Sequence, residues 1–294
     1  MRKVNKPQKT PKSLVDKQNE IEQELSEKKD KFKWIPEHYS DPIKEDLKNL
    51  YHNKCGFCEI KLLDASCENQ FTVEHYRPKN HYWWLGNEWT NLFPTCWKCN
   101  NQKREDFPLY CEKINKKIMV PPFTNGRLDR GKCVAGSKEL LAEKPLWIHP
   151  EIDDPEKLLY FDRNGKIDIR DDVRDKYDRQ KAKHTIVKLL NRPNLEENRK
   201  RHFKKYWEDL KKYLNKFIEK YNYTYTTIDL KEHFSQFFEN LWVAQSKKSE
   251  FSLMGYCMLL DFDKFFLEPI ETNFSTGLKE IVEEAFKLFI AEHL

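Results

Sequence analysis

Two Cys-x-x-Cys pairs, Cys55/Cys58 and Cys96/Cys99, stand 37 residues apart, and nothing else in the 294-residue chain constrains its fold as much. Each pair can present two thiolates from a single turn of backbone. Two such turns make a tetrahedral S4 site, which suits Zn²⁺. Four protein sulfurs leave no open coordination position, so the expected zinc is structural and pins the segments that carry the pairs. The opening Met1-Arg2-Lys3-Val4-Asn5-Lys6 lacks the apolar core of a signal peptide, and the chain reads as cytoplasmic. Its cysteines are then thiols or ligands rather than disulfides. Cys67, Cys111, Cys133 and Cys257 have no paired spacing and read as core or surface thiols.

Composition excludes several classes. With 19 Phe, 13 Tyr and 8 Trp the chain has ample material for a core, so disorder throughout is excluded. Only 8 glycines are present, which argues against a turn-rich all-β protein and against a dinucleotide-binding fold. No apolar run is long enough to span a bilayer. A net charge of +5 and a pI near 8.6 permit a nucleic-acid partner without demanding one.

The chemistry sits between and just after the cysteine pairs. Phe71-Thr72-Val73 reads as a short strand that ends in Glu74-His75, and a helix is predicted from Thr95 or Cys96 through Arg104, closed by Asp106-Phe107-Pro108. A four-sulfur zinc would bring Glu74-His75 alongside Asn100. The Glu74 carboxylate and the Asn100 amide oxygen are hard ligands suited to Mg²⁺ or Mn²⁺. His75 is a base able to take a proton from an attacking water. Arg77 and Lys103 are expected to contact phosphates. A histidine alone would more often be a satisfied core residue. Its company here, with Asn91 included, reverses that reading.

These residues carry a resemblance. The segment resembles an HNH (ββα-metal) endonuclease with a four-cysteine zinc site. The resemblance implies that His75 is the general base, that Glu74 stands where the usual metal-ligand Asp does, that Asn91 fastens the loop and orients the His, and that Asn100 takes the final metal-ligand position. Glu74-His75-Tyr76-Arg77-Pro78-Lys79 and Trp89-Thr90-Asn91-Leu92 are similar to the PtuB-like HNH subfamily found beside ATPases in Septu-type and retron-linked anti-phage systems. So are His149-Pro150 with Asp154-Pro155, Leu190-Asn191-Arg192-Pro193-Asn194-Leu195 followed by Arg199, and the start Met1-Arg2-Lys3. That resemblance implies an ABC-type ATPase partner. The expected activity is metal-dependent hydrolysis of nucleic-acid phosphodiesters, with DNA favoured. RNA such as tRNA, or a non-catalytic zinc-held nucleic-acid-binding or adaptor module, are the rival readings.

The expected architecture is α+β, a mainly helical scaffold around the small zinc-stapled core. Four stretches are expected: a basic arm and helical region (1–45), the nuclease core (46–112), an irregular and hairpin region (113–170) and a helical domain (171–294). The arm at 1–12 reads as a solvated tail or a docking arm. Helices are predicted over 13–33 with Ser13 as cap, from Ser40-Asp41-Pro42, and near 228–246, 250–264 and 276–293. Asn164-Gly165 predicts a hairpin, and Asn194 is expected to cap a long helix. Tyr82, Trp83, Trp84 and Trp89 read as packing rather than base-stacking residues. Arg199-Lys200-Arg201-His202 with Lys204-Lys205 reads as a solvated helix face, with a phosphate-binding face as the rival.

Overall fold

Pro42 falls in the first turn of helix α1 (Asp41–Leu50), where a missing N–H costs nothing. Ile43, Leu47 and Tyr51 recur every four residues and are buried. Ile43 and Leu47 meet Leu14, Trp89 and Leu92 in one apolar cluster. The computed structural model describes residues 1–7, 9–12, 14–16, 18, 41–64, 66–111, 117–118, 121–125, 127–222 and 224–293, with backbone only at 41 and 42. Most of the helix expected over 13–33, its cap Ser13, and Ser40 lie outside the described residues.

Strand β1 (Phe71–His75) pairs antiparallel with β2 (Leu92–Cys96), with Phe71 opposite Cys96 and His75 opposite Leu92. Pro94 is tolerated because the ribbon has only two strands, and an edge position needs no second ladder. The Pro94 carbonyl accepts from the Gly56 N–H at 2.8 Å. Only glycine fits at 56, since a Cβ there would lie 2.8 Å from the Phe93 ring and 3.0 Å from Tyr51. Helix α2 (Trp97–Lys103) follows β2 directly. Cys96 caps it, its sulfur accepting from the Cys99 N–H at 3.4 Å. The order strand, strand, helix is the one the sequence predicts. Helix α3 (Lys176–Thr185) closes this part of the chain, the Thr185 hydroxyl accepting from the Ile148 N–H at 3.0 Å.

The described chain divides into two compact units. One comprises Met1–Leu159 with Ile169–Leu190, the other Tyr160–Asp168 with Asn191–Leu294. Gly165 turns the hairpin of β3 (Leu159–Phe161) and β4 (Ile167–Ile169) at φ +79°, and the turn itself belongs to the second unit. A Cβ there would meet the Glu196 carbonyl at 2.4 Å, so the turn lies directly on helix α4 (Pro193–Tyr221). Asn194 is not the cap of α4. Arg192 takes that place and Pro193 opens the helix, because proline's fixed φ suits the first helical position. Helix α5 (Thr227–Ala244) starts with a capping box, Thr226 with Asp229. Helices α6 (Ser252–Leu260) and α7 (Thr276–His293) follow. The core of this unit is aromatic: Phe203, Phe234, Phe237, Phe238, Phe262 and Phe266 are all buried, and Phe262 stacks on Phe286 with centroids 3.9 Å apart. The whole is α+β, mostly helical with small antiparallel ribbons, as expected from the sequence.

Candidate active site and zinc centre

The four sulfurs of Cys55, Cys58, Cys96 and Cys99 all lie within 4.8 Å of one another and are buried. Cys58 and Cys96 are 3.8 Å apart. A tetrahedron with Zn–S bonds of about 2.3 Å has edges of ~3.8 Å, so the cluster fits zinc. No described cysteine forms a disulfide. Hydrogen bonds from the other three sulfurs draw the Cys96 proton off, while burial holds the Cys55 thiol high. A divalent cation bound there would hold all four as thiolates.

The centre ties the turn at Cys55–Cys58 to the end of β2 and the start of α2. It thereby sets β1 beside α2. Glu74, His75 and Asn100 line one cleft of about 620 Å³, together with Val73, Pro78, Lys79, Asn80, Arg104 and Glu105. The His75 ring meets the Gly86 carbonyl at 3.0 Å through Nε2. A carbonyl only accepts, so Nε2 carries the proton and the lone pair is on Nδ1. Burial, followed by the charges of Lys79 and Lys103, pushes the imidazole down to about 3, so it is neutral at ordinary pH.

Asn91 holds the loop that follows His75. Its Oδ1 accepts from the Arg77 N–H at 2.8 Å, and its Nδ2 donates to the carbonyls of Arg77 and Leu85, each at 3.1 Å. The Asn91 carbonyl also accepts from the Tyr76 N–H at 2.8 Å. The clamp therefore spans the residue after His75 and the residue before Gly86. On α2, Asn100 donates through Nδ2 to Thr72 Oγ1 at 3.1 Å and the Val73 carbonyl at 3.4 Å. These bonds fix the amide and leave its oxygen as the remaining donor to a cation.

Arg77 and Lys103 are not phosphate contacts. Arg77 is 1 % exposed; it donates to Glu143 at 2.8 Å and to the Leu140 carbonyl at 2.7 Å. Lys103 is fully buried, donating to Glu74 Oε1 at 2.7 Å and the His75 carbonyl at 3.0 Å. Both cations are spent inside the fold because each has a buried carboxylate to compensate. Burial raises the Glu74 carboxyl and the Lys103 charge pulls it back. Oε2 is the oxygen Lys103 does not take. The outward cations of the cleft are instead Lys79, half-buried, and Arg104, exposed at the end of α2. Neither was assigned from the sequence, although Lys79 follows His75 by four residues.

Two further elements support the site. The first seven residues of the basic arm are tied to the fold, while Lys9 and Lys12 are exposed. Lys6 is buried, with Nζ donating to the carbonyls of Trp89 (2.7 Å) and Leu92, which flank Asn91, and to Glu151 at 3.0 Å. Tyr51 donates to the same Glu151 oxygen at 2.5 Å. Tyr82, Trp84 and Trp89 are buried, which is the packing role expected of them.

This geometry defines a class. Residues 55–106 match the HNH endonuclease family, so the chain carries an HNH endonuclease domain, placed on the zinc cluster and the cleft. Beyond that domain the chain is similar to Septu proteins. It is 29% identical over 150 residues to Septu protein PtuB of Bacillus mycoides (strain KBAB4), covering 46% of this chain and 44% of that protein. It is 41% identical over 61 residues to Septu protein PtuB of Bacillus thuringiensis, covering 21% and 23%. It is also 26% identical over 162 residues to Septu protein PtuA of B. mycoides, covering 51% and 19%. The chain thus spans less than half the length of each of these relatives.

Proposed function

We propose that the chain is a metal-dependent HNH endonuclease that hydrolyses nucleic-acid phosphodiesters, DNA in preference to RNA. The observation that carries this reading is the shared cleft of Glu74, His75 and Asn100, with His75 held by Gly86 so that Nδ1 bears the lone pair. His75 Nδ1 takes a proton from a water. The hydroxide oxygen bonds to phosphorus, the P–O bond on the opposite side breaks, and the departing oxygen takes a proton from solvent. Glu74 and Asn100 offer oxygens to Mg²⁺ or Mn²⁺, which when bound would neutralise charge on the phosphate and the departing oxygen. Lys103 pairs with Glu74 and anchors the His75 peptide, while Asn91 fixes the loop that presents Gly86. These are positioning roles.

The similarity to Septu PtuB and PtuA supports a place in a Septu system. In this reading the chain is the nuclease effector of a cytoplasmic anti-phage system, controlled by an ABC-type ATPase. No helix among the described residues is long and apolar enough to cross a membrane. The test is cleavage of plasmid DNA and total cellular RNA in Mg²⁺ or Mn²⁺, with and without the neighbouring ATPase. DNA cleavage that depends on the metal supports the reading. Cleavage of RNA alone moves the substrate. A folded, zinc-loaded chain that cleaves neither under any of these conditions is a binding module.

A further inference from the structure

The charged side chains of the cleft are evenly matched in sign. Its charged lining residues are two acids, Glu74 and Glu105, against two bases, Lys79 and Arg104. Nucleic-acid affinity is dominated by cations set against phosphates, and the two cations the sequence offered for that task, Arg77 and Lys103, are buried in ion pairs. A cation on Glu74 and Asn100 would hold one phosphate at the cleft, and a longer run of backbone calls for a further cationic surface.

The second unit has one. A groove of about 970 Å³ runs between α4 and α5, with Arg201, Lys204, Lys205, Tyr206 and Lys212 on one side and Asn240 and Val243 on the other. The basic positions recur at i, i+3, i+4 and i+11, on the helix face opposite the buried Phe203, Leu210 and Leu214. Arg201 to Lys212 spans about 16 Å of helix, a reach of roughly five phosphates along one strand. No acid interrupts the stretch from Asn198 to Trp207. The acids that do line the groove are engaged: Glu208 pairs with Lys211 at 2.7 Å and Asp209 lies 3.8 Å from Lys212. Arg201 lies 3.9 Å from Glu197, both exposed. Lys204 and Lys205 are exposed and make no ion pair among the described residues. Tyr206 stands half-buried beside them with its ring 5.4 Å from that of His202, an aromatic surface on which an unpaired base can stack.

We infer that the α4–α5 groove is a second nucleic-acid site, which holds the phosphodiester backbone through Arg201, Lys204, Lys205 and Lys212. An acidic protein segment would also be drawn to this face. The HNH domain on the same chain and the ring beside the lysines favour nucleic acid, and the inference rests on the nuclease reading only for that choice of polyanion.

The test measures binding by the full, zinc-loaded chain without added divalent cation, so that cleavage plays no part. The probes are a short DNA single strand, its duplex and the matching RNA, titrated by fluorescence anisotropy between about 50 and 200 mM salt. The variant is Arg201→Gln/Lys204→Gln/Lys205→Gln. Lys231→Gln/Lys287→Gln, which removes two ion-paired charges elsewhere in the same unit, is the control. The triple variant is expected to bind at least ~10-fold more weakly, with the slope of log K against log salt shallower by about 2–3, and the control to bind like wild type. Equal affinity and slope for the triple variant and wild type, or no binding by wild type to any probe, overturns the inference. So does a triple variant that binds nucleic acid normally and loses only its association with the ATPase. A chain that cleaves but binds independently of the groove overturns the groove alone. A chain that binds through it and never cleaves overturns the nuclease reading alone.

Discussion

Both units bury an apolar core, and they differ in the polar groups held inside it. The first is organised around polar and ionic groups in its interior: four cysteine sulfurs, the Lys103–Glu74, Arg77–Glu143 and Lys6–Glu151 pairs, and the buried His75 and His149. The second is helical with an aromatic core, and its buried charged residue among the described residues is Arg199, whose guanidinium lies 5.3 Å from the Phe161 ring. A site that must hold two oxygen donors and a base in one geometry needs groups with directional bonds. A scaffold needs area removed from water. The comparison teaches that chemistry and polar order are concentrated in one unit, and that each unit should fail by its own route.

The largest expected effect is loss of the zinc centre. Structural zinc contributes on the order of 10–16 kcal/mol in zinc-finger peptides. Cys99→Ser is expected to release zinc and to expose the amides of β1, β2 and α2 to hydrogen exchange, with protection of α4 and α5 intact. Elemental analysis and segment-resolved exchange read this directly. Unchanged protection of the ribbon in the zinc-free variant would end the claim of a metal-organised unit.

The complementary change is Phe238→Ala. Phe238 touches Phe234, Phe237, Phe262, Phe286 and Phe289, and truncating a buried phenylalanine costs about 3–5 kcal/mol. The loss should show as faster exchange in α5 and α7, with zinc content unaltered. Equal loosening of both units would erase the distinction.

A smaller effect separates the units by pH. Burial, and then the charges of Arg77, Lys6 and Lys181, hold the His149 imidazole well below its usual 6.5. In the unfolded chain it takes a proton near pH 6.5. Below that pH the unfolded state binds a proton that the native state refuses. Stability present above pH 6.5 is therefore lost as pH falls, at about 1.4 kcal/mol per pH unit. His75, pushed down to about 3, acts in the same direction. Protection factors in the first unit, with the intrinsic slowing of exchange at lower pH divided out, should fall between pH 7 and 5, and His149→Phe should flatten that dependence. A slope identical in wild type and variant would remove His149 from the account.

What was legible in the sequence follows the same division. The cysteines, Glu74-His75 and Asn100 stood out because metal and base chemistry demands given residue types at given spacings, and the role of Asn91 came from the resemblance to HNH endonucleases. The helices of the second unit followed from apolar periodicity, and the Asn164-Gly165 hairpin from turn chemistry. The buried cations did not. Arg77 finds its partner at Glu143 and Lys6 at Glu151, far along the chain, and no local pattern announces that an exposed-looking cation has a carboxylate waiting inside. The same holds for Lys103, whose helical position suggested a phosphate while its partner was Glu74 on the paired ribbon. Asn194 was misplaced as a cap because proline at the next position upstream opened the helix first.

The most direct test compares His75→Ala and Glu74→Ala with wild type, all carrying one zinc per chain, by two readouts: Mn²⁺ binding by electron paramagnetic resonance and single-turnover cleavage in Mn²⁺. His75→Ala should retain the Mn²⁺ site and cleave about 10²–10⁴-fold more slowly. Glu74→Ala should lose both. Wild-type cleavage in His75→Ala, or an unaltered Mn²⁺ site in Glu74→Ala, would contradict the assignment of base and metal ligand on which the account stands.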